Sequence, residues 1–417
     1  MPKKLNTVLG IDIGSQQIKI AEVKMQGREP AITALNIGPT PEGTVDSAGV
    51  YDSDAVAAAV KSLAADAGAS APFAVVSIAG QASVLVRTLE VPKMTSDELK
   101  ETMNYEISRN IPFAESTIES DYRAYPNDDP NSPNMDVVMA IAPQSAIQTM
   151  IQVVTKSGRK PHAIDVEPLG LARSAMMSYG GAGAGKTMCV VDMGHNTTSI
   201  NMYKDGQLMM PRQVPIGGYH ITRALVDNLG INEAEAETLK QSRASVPNSA
   251  GIGGGYGTPA APAYDPFASD PAPTMQMPAA NPYAEPYAAD VQADQTTGEF
   301  VPPPPVPDAA PTDDVESTRI YNAMAAILEE FYSELRRSID YYRSKGGDVD
   351  SIYLCGGGAK LRGLSEYLER MIGLKVQDYD PLKGLSLSGR RLDMNQLDSH
   401  RSEFAIAVGN ALHIAFD

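Results

Sequence analysis

Two widely separated stretches of this chain repeat one pattern: an apolar strand, then Asp, any residue and Gly, with a hydroxyl residue beyond. The first is Gly10-Ile11-Asp12-Ile13-Gly14-Ser15-Gln16-Gln17-Ile18-Lys19, and the second is Val190-Val191-Asp192-Met193-Gly194-His195-Asn196-Thr197-Thr198. A third glycine-rich strand end, Tyr353-Leu354-Cys355-Gly356-Gly357-Gly358-Ala359-Lys360-Leu361, lies far downstream. Glycine has no Cβ, so a ligand approaches such a turn closely, and successive N–H groups make a concavity for anions. Carboxylates at Asp12 and Asp192 repel a phosphate directly. Their place at the strand ends therefore points to hydrated Mg²⁺, which prefers oxygen ligands and keeps several waters. Ser15 adds a hydroxyl donor, and Lys19 alternates onto the same side of its strand as Gln17, within reach of a phosphate. One Asp-x-Gly turn is ordinary turn chemistry. Two of them, followed in order by a triple-glycine strand end, imply two lobes that hold a nucleoside triphosphate and its magnesium between them.

The 417 residues exceed what one core organises, and 43% of them are apolar, so at least two folded domains are expected. A net charge of -17 argues against nucleic-acid or anionic-membrane binding, both of which need basic surface. Cys189 and Cys355 each lie inside an apolar strand without metal-like spacing, which reads as reduced core thiols in a reducing compartment. The five histidines form no ligand pair, so no structural zinc is expected. Residues 1–4 run directly into a strand and no window has the length of a membrane span. The expectation is a cytoplasmic protein without a signal peptide.

Apolar patterning predicts a meander of strands at 8–13, 17–25 and 31–37, an Ala-rich helix at 51–67 and a buried strand at 73–78. A strand at 83–91 ends at Pro92, and Thr95-Ser96-Asp97-Glu98 caps a helix reaching Arg109. A strand at 136–141, a helix at 143–156 and a strand at 162–166 follow, and a helix at 169–179 precedes the second repeat. The second half then opens with strands at 187–193, 198–203 and 207–214, so both halves begin strand-turn-strand-turn-strand. Gly217 and Gly218 precede a helix at 219–229, a further anion-friendly position. Another helix starts near Asn232. Apolar residues from Ile320 to Tyr342 recur at helical spacing, a strand spans 352–355, and helices span 361–371 and 402–414.

The fold class expected is α/β, two lobes each with a mixed five-stranded sheet and flanking helices. Residues 1–84 and 160–185 form the first lobe, with helix 402–417 packing back on it. Residues 186–243 and 316–401 form the second, and 85–159 a small β/α subdomain inserted in the first. Between Arg243 and Arg319 there is no Lys or Arg, while Pro, Ala and Tyr abound. Residues 244–315 therefore read as a disordered insertion, either a tolerated loop or a proline- and tyrosine-bearing recognition segment. The stretch from Gly180 through Gly185, Lys186 and Thr187 matches the P-loop letter for letter. A P-loop follows a strand and opens a helix; here a helix precedes and a strand follows, so the stretch reads as a crossover.

The three glycine turns resemble the phosphate-1, phosphate-2 and adenosine motifs of the actin/Hsp70/hexokinase superfamily. Gly217-Gly218-Tyr219-His220-Ile221-Thr222, then Ala236-Glu237-Thr238-Leu239-Lys240, narrow the resemblance to the FtsA/PilM branch. The connecting-helix stretches 165–173 and 403–412 and the inserted subdomain fit it as well. FtsA-type proteins end in an amphipathic membrane helix, whereas this chain stops at Asp417, which favours the PilM side: an actin-like protein of the type IV pilus inner-membrane platform. The resemblance implies that Asp12, Gly14, Ser15, Gln16, Gln17 and Lys19 hold the β/γ-phosphates of ATP and Mg²⁺ from one side. Asp192, Gly194, His195, Asn196 and Thr197 do so from the other. Gly217 and Gly218 approach the phosphates, Glu237 and Lys240 contact ribose and base, and Gly356, Gly357, Gly358, Lys360 and Leu361 floor the adenosine. His195, bulky for a phosphate turn, is expected to be inert.

ATP binding follows from the resemblance more directly than turnover. Hydrolysis needs a polar group to orient an in-line water. Glu167, at the start of the helix after strand 162–166, is the acid placed for it, or else caps that helix electrostatically. At most slow ATPase activity is expected. The leading function is a nucleotide-gated adaptor that binds the cytoplasmic N-terminal tail of a PilN-like membrane protein and is peripheral to the inner membrane through that partner. Strand 83–91 and helix 95–109 are the positional guess for the groove. A polymerising FtsA-like cell-division filament is the alternative. A hexokinase-type kinase lacks its catalytic Asp in a sugar loop after strand 73–78.

Overall fold

A run of alternating and fully apolar residues makes the first strands, and their burial fixes their place in the sheet. The computed structural model describes residues 5–78, 84–112, 117–125, 132–180, 184–247 and 313–416. β1 (Thr7–Ile13) is buried at six of its seven positions and lies centrally, between antiparallel β2 (Gln17–Gln26) and a later parallel strand. β3 (Glu29–Pro39) continues the antiparallel meander. A small hairpin, β4 (Val45–Asp46) with β5 (Gly49–Val50), leads to α1 (Ser53–Asp66), whose N-cap Asp52 accepts from the N–H groups of Asp54 and Ala55. β6 (Phe73–Ile78) then pairs parallel with β1.

β7 (Leu85–Pro92), α2 (Ser96–Arg109), β8 (Ile118–Tyr125) and β9 (Asn134–Pro143) form a separate antiparallel sheet of order β7-β9-β8. α2 starts with a reciprocal capping box between Thr95 and Glu98 and buries Leu99, Met103 and Ile107 against Val91, Val137, Met139 and Ile141. α3 (Gln144–Lys156) leaves this sheet. Its Met150, Val153 and Val154 pack in the first lobe's core with Val60, Ala64 and Val76, because its apolar stripe has no other uncovered face to meet. The inserted unit thus closes near residue 143, where the sequence placed its end at 159. β10 (Lys160–Val166) pairs parallel with β6 and completes that side of the first sheet. α4 (Glu167–Tyr179) crosses to the second lobe.

The second lobe repeats the plan with β11 (Thr187–Met193), β12 (Thr198–Lys204) and β13 (Gln207–Val214) as the meander. α5 (Gly218–Leu229), α6 (Glu233–Ser242) and the 32-residue α7 (Asp313–Ser344) cover it. Ile320, Met324, Leu328, Phe331, Leu335 and Ile339 of α7 form the buried stripe. β14 (Ser351–Cys355) joins β11 in parallel, α8 (Leu364–Ile372) follows, and β15 (Lys375–Asp378) is the edge strand. The strand orders β3-β2-β1-β6-β10 and β13-β12-β11-β14-β15 superpose element by element, the actin-like ATPase fold.

The insertion expected at 244–315 falls mostly on residues outside those described. At its edges Ala244 and Val246 are core residues of the second lobe, Val246 N–H donates to the Arg362 carbonyl at 2.8 Å, and α7 already begins at Asp313. Residues 382–400, expected in the second lobe, pack on the first. β16 (Ser386–Leu387) adds a sixth strand beside β3, and Leu382, Leu385 and Leu397 join that core, as does α9 (Met394–His400) through Leu397. The closing segment is not one helix: a 3₁₀ turn at Arg401–Phe404 precedes α10 (Ala405–Ala411) and a short α11 (His413–Phe416). α10 crosses α4 with backbones in contact. A Cβ on Gly409 would overlap the Gly170 carbonyl, and one on Gly10 would overlap the Ala407 carbonyl. Asn410 donates to the Ile11 carbonyl at 2.8 Å and to Ser77 Oγ at 3.0 Å, while Arg173 pairs with Asp165 and donates to the Gly409 carbonyl at 3.1 Å. The described residues flanking the P-loop-like stretch have a helix before it and a strand after it. Gly180 ends α4, residues 181–183 lie outside those described, and Thr187 opens β11. Among the described residues no helix is long and apolar enough to cross a membrane.

Candidate functional site

Both Asp-x-Gly turns close in the same way. Gly14 N–H donates to the Gln17 carbonyl at 3.0 Å, and Gly194 N–H to the Thr197 carbonyl at 2.9 Å. In register, Asp12 stands opposite Lys19 and Asp192 opposite Ser199. The first turn is tied to the end of β3: Thr40 Oγ1 donates to the Gly14 carbonyl at 2.6 Å, and Thr40 N–H to the Gln16 carbonyl at 3.1 Å. The second is tied to the start of α5, where Gly218 and Tyr219 N–H groups donate to the Gly194 and His195 carbonyls at 2.9 and 2.8 Å. Asn196 Nδ2 donates to Ser15 Oγ at 3.3 Å and so joins the two turns.

One cavity of about 1080 Å³ takes in both turns. Asp12, Gly14, Ser15, Gln16, Gln17 and Lys19 line it, as do Asp192, Gly194, His195, Asn196 and Thr197. Gly218, Glu237, Lys240, Glu167 and residues 356–358, 360 and 361 line it too. Gly217 alone of the expected set does not. It lies behind the second turn, where a Cβ would overlap the His195 carbonyl, and its N–H donates to His220 Nδ1 at 3.1 Å. Gly356 has φ 83°, and a Cβ there would run into the Asp192 carboxylate, so the third turn needs glycine on both counts.

The charges are concentrated. Lys19 Nζ lies 3.2 Å from Asp12 Oδ2, with side-chain exposures of 15% and 8%. Burial alone would lower the Lys19 ammonium, yet Asp12, then Asp192 and Glu403, hold it above its ordinary value. Burial pushes the Asp192 carboxyl up to about 6; Asp12 and Glu403 add to this and Lys19 opposes it. Burial, then Asp12 and Asp192, push the Glu167 carboxyl well above the carboxylate range. Glu167 opens α4 and faces the cavity, and no side chain caps that helix. Lys240 Nζ binds Glu237 Oε2 at 2.6 Å, Thr222 Oγ1 at 2.8 Å and the Gly218 carbonyl at 3.1 Å, which knits α6 to α5. The His195 ring stacks at a tilt on Tyr219, 5.3 Å between centroids, and burial, then Lys240, lowers its pKa. Among the described residues no three His, Cys, Asp or Glu side chains are grouped to grip a metal directly.

The sequence reading missed part of the wall, Glu403 and His400 beside Lys360 and the β4–β5 hairpin, and missed Thr40, which supports the first turn from behind. An acid at Glu403 heading an otherwise apolar run was the one visible signal.

The family model described as type IV pilus assembly protein PilM matches residues 10–250, more than half of the chain. The chain belongs to the PilM family. The model of cell division protein FtsA matches residues 189–409, so the second half also carries the FtsA-type lobe. A solved PilM-PilN type IV pilus biogenesis complex is similar to this PilM-family chain at TM-score 0.73 and 23% identity, with 99% of each chain covered. A nucleotide-free diol dehydratase-reactivating factor is similar at TM-score 0.50 and 10% identity, covering 99% of this chain and 100% of that one. Both are likenesses of fold. The cell division protein FtsA of Porphyromonas gingivalis is 42% identical over 60 residues, which span 14% of this chain and only 12% of that protein's length.

Proposed function

We propose that this PilM-family chain binds Mg-ATP between its two lobes. It thereby acts as a nucleotide-gated adaptor of the type IV pilus inner-membrane platform and receives the cytoplasmic tail of a PilN-like membrane protein. The observation that carries the reading is the convergence of both Asp-x-Gly turns and the third glycine turn on one cavity. The donor set suits magnesium: Asp12 and Asp192 are hard oxygen ligands facing a polyphosphate site, and three acids around one lysine leave a negative excess that a hydrated divalent cation offsets. Held there through water by Asp12 and Asp192, magnesium would neutralise charge on the phosphates. Backbone N–H groups of residues 15–17 and 195–197, beyond the two that close the turns, would hold the phosphates, with Lys19 beside them. Burial and the neighbouring Asp12 and Asp192 disfavour the charged form of Glu167, the form that would orient a water, and a bound cation would oppose this. This favours binding and slow turnover over rapid hydrolysis.

The same cavity is also walled by Val50 and Tyr51 of the hairpin region, Pro112 after α2, and Pro143, Ala146 and Met150 at the start of α3. We place the partner's tail there, not along β7 and α2, which do not line the cavity. Thr40 holds the first phosphate turn and lies five residues before the hairpin, so a shift of that turn on nucleotide binding reaches that wall along one short segment. The chain would meet the membrane only through this partner. The named solved complex, of PilM with PilN, supports that choice of partner.

A pull-down with a peptide copying a PilN-like N-terminal tail, with and without Mg-ATP, tests the reading. Nucleotide-dependent retention is expected, and equal retention in both conditions removes the gating. The FtsA-type match over residues 189–409 favours filament formation as the second reading; sedimentation that rises with Mg-ATP would select it.

A further inference from the structure

The cavity wall holds an acid that lies outside both phosphate turns. Glu403 lies on the 3₁₀ turn before α10, with its side chain 3% exposed. Its Oε1 accepts from Lys360 Nζ at 2.9 Å and lies 2.7 Å from His400 Nδ1. Its Oε2 lies over the third glycine turn, 3.3 Å from where a Cβ on Gly357 would stand. The two segments are stitched by Gly356 N–H donating to the Ser402 carbonyl at 3.4 Å.

A lysine at a cleft rim is ordinarily a mobile, strongly hydrated cation that loses up to about 2 kcal/mol of rotamer entropy when ordered. Lys360 differs. Its side chain is 42% exposed, yet a buried carboxylate already holds its ammonium, so its charge is largely compensated. Lys360 lines the cavity, and with its ammonium held at Glu403 the aliphatic stem is the part left for a ligand to meet. We propose that Glu403 is a positioning residue. Acting through Lys360, with His400 as its other partner, it sets the lysine stem over the Gly356–Gly358 floor as a shelf for the uncharged, nucleoside end of the ligand. The inference rests on the nucleotide reading above and deepens it. The phosphate end of the cleft is read by the two Asp-x-Gly turns, and the nucleoside end by a lysine ordered in advance, so binding does not carry that ordering cost.

Titration calorimetry with Mg-ATP and with magnesium tripolyphosphate, which lacks the nucleoside, tests the split. Glu403→Gln is expected to weaken Mg-ATP about fivefold, the roughly 1 kcal/mol of ordering one long side chain. Tripolyphosphate affinity is expected to hold or rise slightly. Lys360→Ala is expected to show the same preference for harming ATP, and adding Glu403→Gln to it is expected to cause no further loss. Equal losses for both ligands, an unchanged Mg-ATP affinity in Glu403→Gln, or a loss that persists undiminished in the Lys360→Ala background overturns the proposal. Lys360→Ala changes a partly exposed side chain and keeps the test decisive if Glu403→Gln does not fold: sparing of Mg-ATP by that variant overturns it alone. A wild-type chain that binds no Mg-ATP sinks the nucleotide reading itself, whereas one that binds it without these differences sinks only the shelf.

Discussion

Gly14 and Gly194 close their turns with the same bond across the same three residues, yet the side chains opposite the two aspartates differ. Lys19 faces Asp12 and pairs with it at 3.2 Å, whereas Ser199 faces Asp192. Among the described residues Asp192 has no paired cation, and its carboxyl is driven up to about 6, by burial first. Backbone duplication therefore did not duplicate the electrostatics. One lobe brings an aspartate already compensated; the other brings one whose charge is costly until something cationic arrives. On the proposed reading, a hydrated cation between the turns would offset that cost.

The strongest way to break the comparison is to remove each carboxylate. Asp12→Ala and Asp192→Ala are both expected to lower Mg-ATP affinity about a hundredfold or more by calorimetry, since each loses part of the charge compensation that the metal supplies. Unchanged affinity in both variants would remove the nucleotide site. Lys19→Met comes next. It leaves Asp12, Asp192 and Glu167 without their shared cation, and chemical denaturation should report a loss of about 2–3 kcal/mol. No loss would mean that the acids are neutral or solvated without it.

Asp192→Asn sharpens the asymmetry, because its effect on the unliganded chain has the opposite sign. An acid whose folded pKa is raised binds more protons folded than unfolded, so its penalty is absent at low pH and grows as pH rises through the window from 3.8 to about 6. The variant should therefore be more stable than wild type by about 3 kcal/mol at pH 7, and close to it near pH 4. Asp12→Asn should show no such gain, since it breaks the pair with Lys19. Equal pH profiles for the two variants would refute the difference between the lobes. The smallest effect is expected from Asn196→Ala, which removes one hydrogen bond between the turns. About 0.5–1 kcal/mol of interlobe coupling should be lost, read as faster hydrogen exchange at residues 14–17.

Much of this arrangement was legible in the residues. Strands such as Phe73–Ile78 and Thr187–Met193 are near-continuous apolar runs, and central parallel strands, buried on both faces, leave that trace. The phosphate turns were legible because Asp and Gly at a strand end have few other reasons to recur in duplicate. β8 was not, because Glu119, Ser120 and Asp121 are exposed on both of its faces and interrupt the apolar alternation. The helix expected from residue 361 starts at Leu364 because Gly363 holds φ at 77°, outside the helical region. α3 and residues 382–400 were placed with the wrong neighbours for another reason. Periodicity reveals that a segment has a buried face, and says nothing of which sheet will cover it. Glu403 escaped for a similar reason: its partners Lys360 and His400 come together only once the chain has returned from the second lobe.

The meeting of Gly10, Gly170 and Gly409 has a consequence for how such a molecule can move. Where two connecting helices and a strand touch through bare main chain, rotation slides smooth surfaces past one another and displaces no interlocked side chains. The crossing has the smooth contact surfaces of a journal bearing, with Arg173 and Asn410 bonded across it like pins.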